Sequence, residues 1–360
     1  MTFHIDRSTS RRHFLRQAAQ LSALVGPAAP LALNLLASGS AVAQATGGYK
    51  ALVCLFFYGG NDAFNMVLPT DAASFAAYTA TRNQAPDSIA LLAPGTVANT
   101  GAAWGSPARL GGVLPINPLD AQGRSFALHP VMGTLQTMFN TDRRLAILPN
   151  IGPLVMPTSK AQYGQSSHPK PKSLFSHNDQ ANTWQALAPE GATVGWGGRM
   201  GDLLASANSR PVFTTISASG NAVWLAGQQV RQYQVGSSGA TRLGVDSSNR
   251  VYGSAAVGAA LQRIAGSTRG GHVLETDLAA VGQRSMDAEL LLRTALKPAS
   301  DAAFGTAPVS GNYNANTDPK LQYDNPSTGG KSFNALAQQL QVVARLVDAV
   351  MSGATGVQRQ

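Results

Sequence analysis

Leu52-Val53-Cys54-Leu55-Phe56-Phe57-Tyr58-Gly59-Gly60-Asn61-Asp62-Ala63-Phe64-Asn65 is the stretch on which the fold reading turns. From Tyr49 to Tyr58 the chain is apolar apart from Lys50, rich in Leu, Val and Phe, and it stops at two glycines. A run of this length and composition, closed by turn residues, predicts a strand buried on both faces, as in a parallel sheet. In open α/β sheets ligands bind beyond the C-terminal ends of the strands, and Asp62 falls there. Cys54, set among apolar neighbours, reads as a small buried thiol in that strand.

The downstream pattern agrees with an α/β chain. Residues 70–125 are mostly Ala, Gly, Pro, Ser and Asn and read as a long irregular excursion. The segment from Leu128-His129-Pro130 to Phe139 predicts a short helix with Pro130 near its first turn. Leu145–Leu148 reads as a second strand, Arg199–Ala207 as a helix, Val212–Ile216 as a third strand and residues 251–296 as helical. Phe333, Leu336, Leu340, Val343, Val347 and Val350 recur at steps of three and four, the mark of one apolar helical stripe. Ser352-Gly353 ends it. Strand, long connection, helix and strand is the order of an α/β sheet with crossovers.

Composition narrows the classes further. Hydrophobic residues make up 44% of the 360, enough for a large core, and charged residues 12%, about half the usual share. That excludes a coiled coil, a repeat array and a multi-span membrane protein. The formal charge of +9 invites a nucleic-acid reading. The basic residues, however, form no run longer than two and no cluster with aromatics, as nucleic-acid binders do.

Part of that charge is an address. Ser8-Thr9-Ser10-Arg11-Arg12-His13-Phe14-Leu15 carries the twin arginine, Arg11 and Arg12, of a bacterial Tat export signal. The apolar segment from about Ala18 to Ala37 is broken by Gly26, Pro27 and Pro30, which suits a signal better than a permanent transmembrane span. Ala41-Val42-Ala43 supplies the small residues of a cleavage site between Ala43 and Gln44. Residues 1–43 hold four arginines and one aspartate, so a third of the net charge belongs to the signal. The expectation is a protein exported folded to the periplasm or beyond, with the Tat translocase as its partner in transit and residues 44–360 as one large domain.

Three segments hold residues with chemistry. Asp62, after two glycines at a strand end, has the character of a ligand for a hard or borderline cation; the same residues equally make a Gly-Gly-Asn-Asp turn. Ser173-Leu174-Phe175-Ser176-His177-Asn178-Asp179-Gln180 places a hydroxyl, an imidazole and a carboxylate within four residues. Ser176 and His177 read as a nucleophile region at a helix start, where free N–H groups also bind anions. Ser176 reads equally as an N-cap with Asp179 in the first turn. In Gly195-Trp196-Gly197-Gly198-Arg199-Met200-Gly201, Arg199 suits a bidentate oxyanion contact, and a flexible turn is the competing reading. His168, in Ser166-Ser167-His168-Pro169, reads as a loop histidine. A Walker loop, His-Glu-x-x-His, Cys-x-x-Cys and the Cys-x-Pro-x-Arg of formylglycine sulfatases are all absent.

Taken in order, the twin-arginine signal, residues 52–65, Leu128-His129-Pro130, residues 174–180 and Gly195-Trp196-Gly197-Gly198-Arg199 resemble the exported bacterial family called domain of unknown function 1501. That family is similar to the alkaline phosphatase and sulfatase-like superfamily. The resemblance implies a three-layer α/β/α sandwich with a mostly parallel sheet. It also implies a site with one or two divalent metals, zinc or manganese, acting on a small phosphate or sulfate ester. On it Asp62 matches the first metal ligand, Ser176 with His177 the nucleophile region, and Arg199 an oxyanion contact. The Gly-Phe-Asp-Thr-His and Asp-His-Gly stretches expected to complete the metal site are not in this sequence. The chain is therefore expected to be the N-terminal part of a longer protein, inactive alone; a non-enzymatic exported binding or assembly protein is the competing expectation.

Overall fold

The computed structural model describes residues 48–360 except 60, 238, 241, 243, 247, 269, 358 and 359. The export reading, with Arg11, Arg12, Ala43 and Gln44, lies outside these residues. The chain divides into two compact units. One comprises Leu55–Gly152 and Ala315–Asn334; the other holds the described residues up to Cys54 with Pro153–Asn314 and Ala335–Gln360.

In chain order the first unit begins with α1 (Ala63–Met66), β1 (Val67–Pro69), α2 (Ala72–Arg82), α3 (Pro107–Leu110), β2 (Leu114–Ile116), β3 (Phe126–Leu128) and α4 (Gly133–Asn140). β3 lies between β1 and β2, antiparallel to both, with Leu68 opposite Ala127. Leu68, Leu91, Val113 and Ala127 form the buried centre, covered by Phe75, Tyr78 and Leu110. Asp71 starts α2 by accepting the Ser74 N–H at 3.1 Å, as a short carboxylate at an N-cap does.

The second unit carries α5 (Lys160–Tyr163), α6 (His177–Ala186), α7 (Trp196–Leu204), β4 (Ile216–Ser217), β5 (Tyr233–Gly236), β6 (Gly239–Ala240), α8 (Ala255–Ala265) and α9 (Val273–Ala295). The chain then returns to the first unit for the hairpin β7 (Gln322–Asp324) and β8 (Lys331–Phe333), and ends with α10 (Ala335–Met351) in the second. β4 pairs parallel with β5, and β5 antiparallel with β6. Phe213, Val235, Ala288, Leu292, Val342 and Leu346 lie at the centre of this unit's core, so α9 and α10 bury their facing sides together.

The architecture is α/β with small sheets, 38% helix and 9% strand. That strand share is well under the usual 20–25%, and three expected strands account for part of the gap. Residues 51–58 form no ladder strand and are exposed, Leu55 at 49% and Phe57 at 56%. Cys54 is exposed with them. Composition makes a segment fit to be a strand, but a neighbouring backbone makes it one. Among the described residues only the start of this run has such a neighbour: Gln360 N–H donates to the Lys50 carbonyl at 3.0 Å, and Leu52 N–H to the Gln360 carbonyl at 2.9 Å. Leu145–Leu148 is likewise irregular, with Leu148 exposed. Val212–Ile216 is a 3-10 turn at Pro211–Phe213 before β4 begins at Ile216.

The helices fare better. The expected helix after Pro130 begins at Gly133, and that near Arg199 begins earlier, at Trp196. Residues 251–296 form two helices, α8 and α9. α10 ends as read, with Gly353 in the left-handed region at φ 81°. Its buried face, however, is offset by about one position. Gln341, Val342, Arg345, Leu346, Ala349 and Val350 are buried, while Leu340 is exposed. The cause is a polar latch. Gln341 Nε2 donates to the carbonyls of Ala299 and Phe304 at 3.1 Å each, and Arg345 Nε to that of Lys297 at 2.7 Å. Buried polar side chains are tolerated where they satisfy loop carbonyls.

Candidate functional site

Asp62 is the N-cap of α1, its Oδ1 accepting the Phe64 N–H at 3.1 Å. Both of its oxygens are also held by Arg82 from the end of α2, Nη2 reaching Oδ1 at 3.0 Å and Nη1 reaching Oδ2. Asn65 extends the arrangement. It accepts from the Tyr78 hydroxyl at 2.6 Å and donates to the Ile89 carbonyl at 3.1 Å, while Leu91 N–H donates to that same hydroxyl at 2.8 Å. The polar residues after the two glycines thus tie α1 to α2 and to the segment 89–91.

Ser176 is the N-cap of α6, and its Oγ accepts the Asp179 N–H at 3.3 Å. Asp179 is held below the usual carboxylate range, first by the Glu190 N–H and then by the Ser176 hydroxyl. The end of the helix is therefore already supplied with a carboxylate. Ser173 and Phe175 approach it with φ of 53° and 75°, conformations that non-glycine residues rarely adopt. His177 is exposed at the first helical position.

Arg199 lies on α7, exposed, while Gly197, Gly198 and Gly201 are buried. These glycines are required by packing. A Cβ at Gly198 would collide with the Ala226 carbonyl, and one at Gly197 with the Trp224 ring. Gly195 N–H donates to the Ala226 carbonyl at 2.8 Å. Trp196 meets Trp224 edge-on at 5.1 Å, and its Nε1 donates to the Trp184 carbonyl on α6 at 2.9 Å. At the other end of α7, Asp202 collects the N–H groups of Gln228, Gln229 and Val230 at 2.7, 2.9 and 2.8 Å. Asp202 carries no motif in the sequence; the one visible signal is an acid directly after Gly201, near the end of the glycine-rich helix.

The placement of the predicted site residues is now plain. Ser176 and His177 adjoin one another, but no hydrogen bond or ion pair links Arg199 to either among the described residues. Asp62 belongs to the other unit. The Asp62 carboxylate is engaged by Arg82 and by the N–H of its own helix. Among the described residues, no group of three or more His, Cys, Asp or Glu side chains converges. His168, read as a loop histidine, hydrogen-bonds through Nε2 to the Thr158 hydroxyl at 3.0 Å, and that hydroxyl donates to the Met156 carbonyl. His129 is partly buried, and burial pushes its pKa below the ordinary value. Its Nδ1 accepts the Val131 N–H at 3.3 Å, as a neutral imidazole can. No helix among the described residues is long and apolar enough to cross a membrane. Compared with protein families, curated proteins and solved structures, the chain matches none.

Proposed function

We propose that this chain is a Tat-exported protein of the domain of unknown function 1501 kind, built on a three-layer α/β/α plan, and that it serves as a binding or assembly protein without turning over esters by itself. The observation that carries this is the employment of the two groups hydrolysis would need: Asp62 is held at both oxygens by Arg82, and Ser176 caps α6 beside Asp179. The parallel pairing of β4 with β5, and of Gln360 between Lys50 and Leu52, supports parallel strands within the plan, beside the antiparallel ladders β1–β3, β2–β3, β5–β6 and β7–β8. Arg11 and Arg12 ahead of an apolar segment, with Ala43 before Gln44, support export to the periplasm or beyond. The purified chain, assayed on nitrophenyl phosphate and nitrophenyl sulfate with zinc or manganese, should show no metal-dependent turnover. Robust turnover that Asp62→Ala abolishes overturns the reading. For export, a reporter fused after residue 44 should stay in the cytoplasm when Arg11 and Arg12 are both changed to Lys; secretion unaffected by that change overturns the Tat assignment.

One observation favours a second reading, hydrolysis of a small phosphate or sulfate ester with Ser176 as nucleophile, His177 beside it and Arg199 on the oxyanion. Two successive left-handed turns, at Ser173 and Phe175, deliver Ser176 to a helix N-terminus, and strained backbone gathers at functional sites. In that case Ser176→Ala would remove turnover while leaving the far-UV spectrum unchanged.

A further inference from the structure

We propose that the N-terminal half of α9 is a self-association surface, on which a second copy of this chain lays its own α9 antiparallel about a two-fold axis. α9 carries one apolar line at helical spacing: Leu274, Leu278, Val281, Ala288 and Leu292. Its far end is in the core, with Ala288 4% and Leu292 0% exposed. Its near end is bare, with Leu274, Leu278 and Val281 exposed at 70%, 72% and 52%. Scattered exposed apolar residues are ordinary, but three in register along one helix face form a seam.

The edges of the line decide the occupant. One edge is covered, because α8 packs there so closely that a Cβ at Gly282 would strike the Ala265 carbonyl. The open edge carries Asp277 and Arg284, two turns apart and both exposed. Neither has an ion-pair partner among the described residues. When Leu278 of one copy faces Val281 of the other in antiparallel register, Asp277 of each copy faces Arg284 of the other. One surface thereby supplies two equal ion pairs, as a two-fold interface requires. A parallel arrangement would instead set Asp277 toward the covered edge at Gly282 and form no such pair. Three apolar side chains from each copy place the interface in the small, transient class. α8 adds a second exposed line, Val257, Leu261 and Ile264. Nothing here depends on Asp62, Ser176 or Arg199, so the ester assays leave it untouched.

Sedimentation velocity of the purified chain over a concentration series tests it. The wild-type protein should move from monomer toward dimer as concentration rises. Leu278→Glu, at a side chain already in solvent, should remain monomeric with unchanged thermal unfolding. Asp277→Arg should weaken the dimer about tenfold, and Asp277→Arg combined with Arg284→Asp should restore it. A chain that stays monomeric throughout, or a dimer indifferent to Leu278→Glu, overturns the proposal.

Discussion

Arg82 and Asp62 make a two-point ion pair, and the same guanidinium lies 5.5 Å from the Phe64 ring centre and 5.8 Å from that of Tyr78. The side chains are 17% and 40% exposed, so solvent screens the pair only in part. A double-mutant cycle with Asp62→Ala and Arg82→Ala should give a coupling of about 1 kcal/mol, the upper end for partly exposed pairs. Urea denaturation measures it. A coupling of zero would mean the carboxylate is energetically free and available to another ligand.

Ser176→Ala should destabilise the fold by about 1 kcal/mol, the usual cost of losing an N-cap oxygen. Ser176→Asn, which keeps an acceptor at that place, should recover most of it in thermal unfolding. The pair of variants separates capping from nucleophilic chemistry, since Asn would rescue the first and not the second.

Asp202→Ala strips three N–H groups of their acceptor and should cost about 2–3 kcal/mol, more than a single neutral hydrogen bond. Burial raises the Asp202 carboxyl, yet the Val230, Gln228 and Gln229 N–H groups outweigh it and hold it below its ordinary value. The folded state therefore binds fewer protons than the unfolded one in acid. Stability from this group is present above the unfolded aspartate range, about 3.9, and is lost as pH falls through the lower folded value. Acid unfolding of Asp202→Asn should lack that component.

His129 gives a second pH dependence in a higher window. Its folded pKa lies below the ordinary value, so the unfolded chain takes up the proton first. Stability should be full above about pH 6.5 and decline as pH falls through the folded value. Comparing the midpoints of the wild type and His129→Gln between pH 7.5 and pH 5 checks it; identical slopes would exclude His129 as the source.

What the sequence disclosed depends on the range of the forces involved. Helix caps and stops are local, so Ser176, its partner Asp179 and the end of α10 at Gly353 were readable. Asp62, read as a turn residue, also has a local role, as the N-cap of α1. Strands were not, because Leu52–Tyr58 and Leu145–Leu148 have strand composition while pairing depends on a distant backbone. The offset face of α10 was hidden for a similar reason: Gln341 and Arg345 are buried by carbonyls some forty residues earlier in the chain. Gly195, Gly197 and Gly198 answer to the chain at 223–227, which packs against them from more than twenty residues away. Arg82, the partner that decides what Asp62 does, sits twenty residues away and carried no motif of its own.

The exposed run from Leu52 to Tyr58 also bears on how the protein behaves in a tube. It has seven residues, no charge, no proline, no glycine and three aromatic rings, the composition of segments that stack into cross-β fibrils. Sulfate and phosphate buffers strengthen apolar association, so they should shorten the time to turbidity. A lysine placed at Phe57, where the side chain faces water, would act as a gatekeeper. Turbidity in concentrated protein should therefore follow changes in this seven-residue patch rather than changes in the stability of the fold around it.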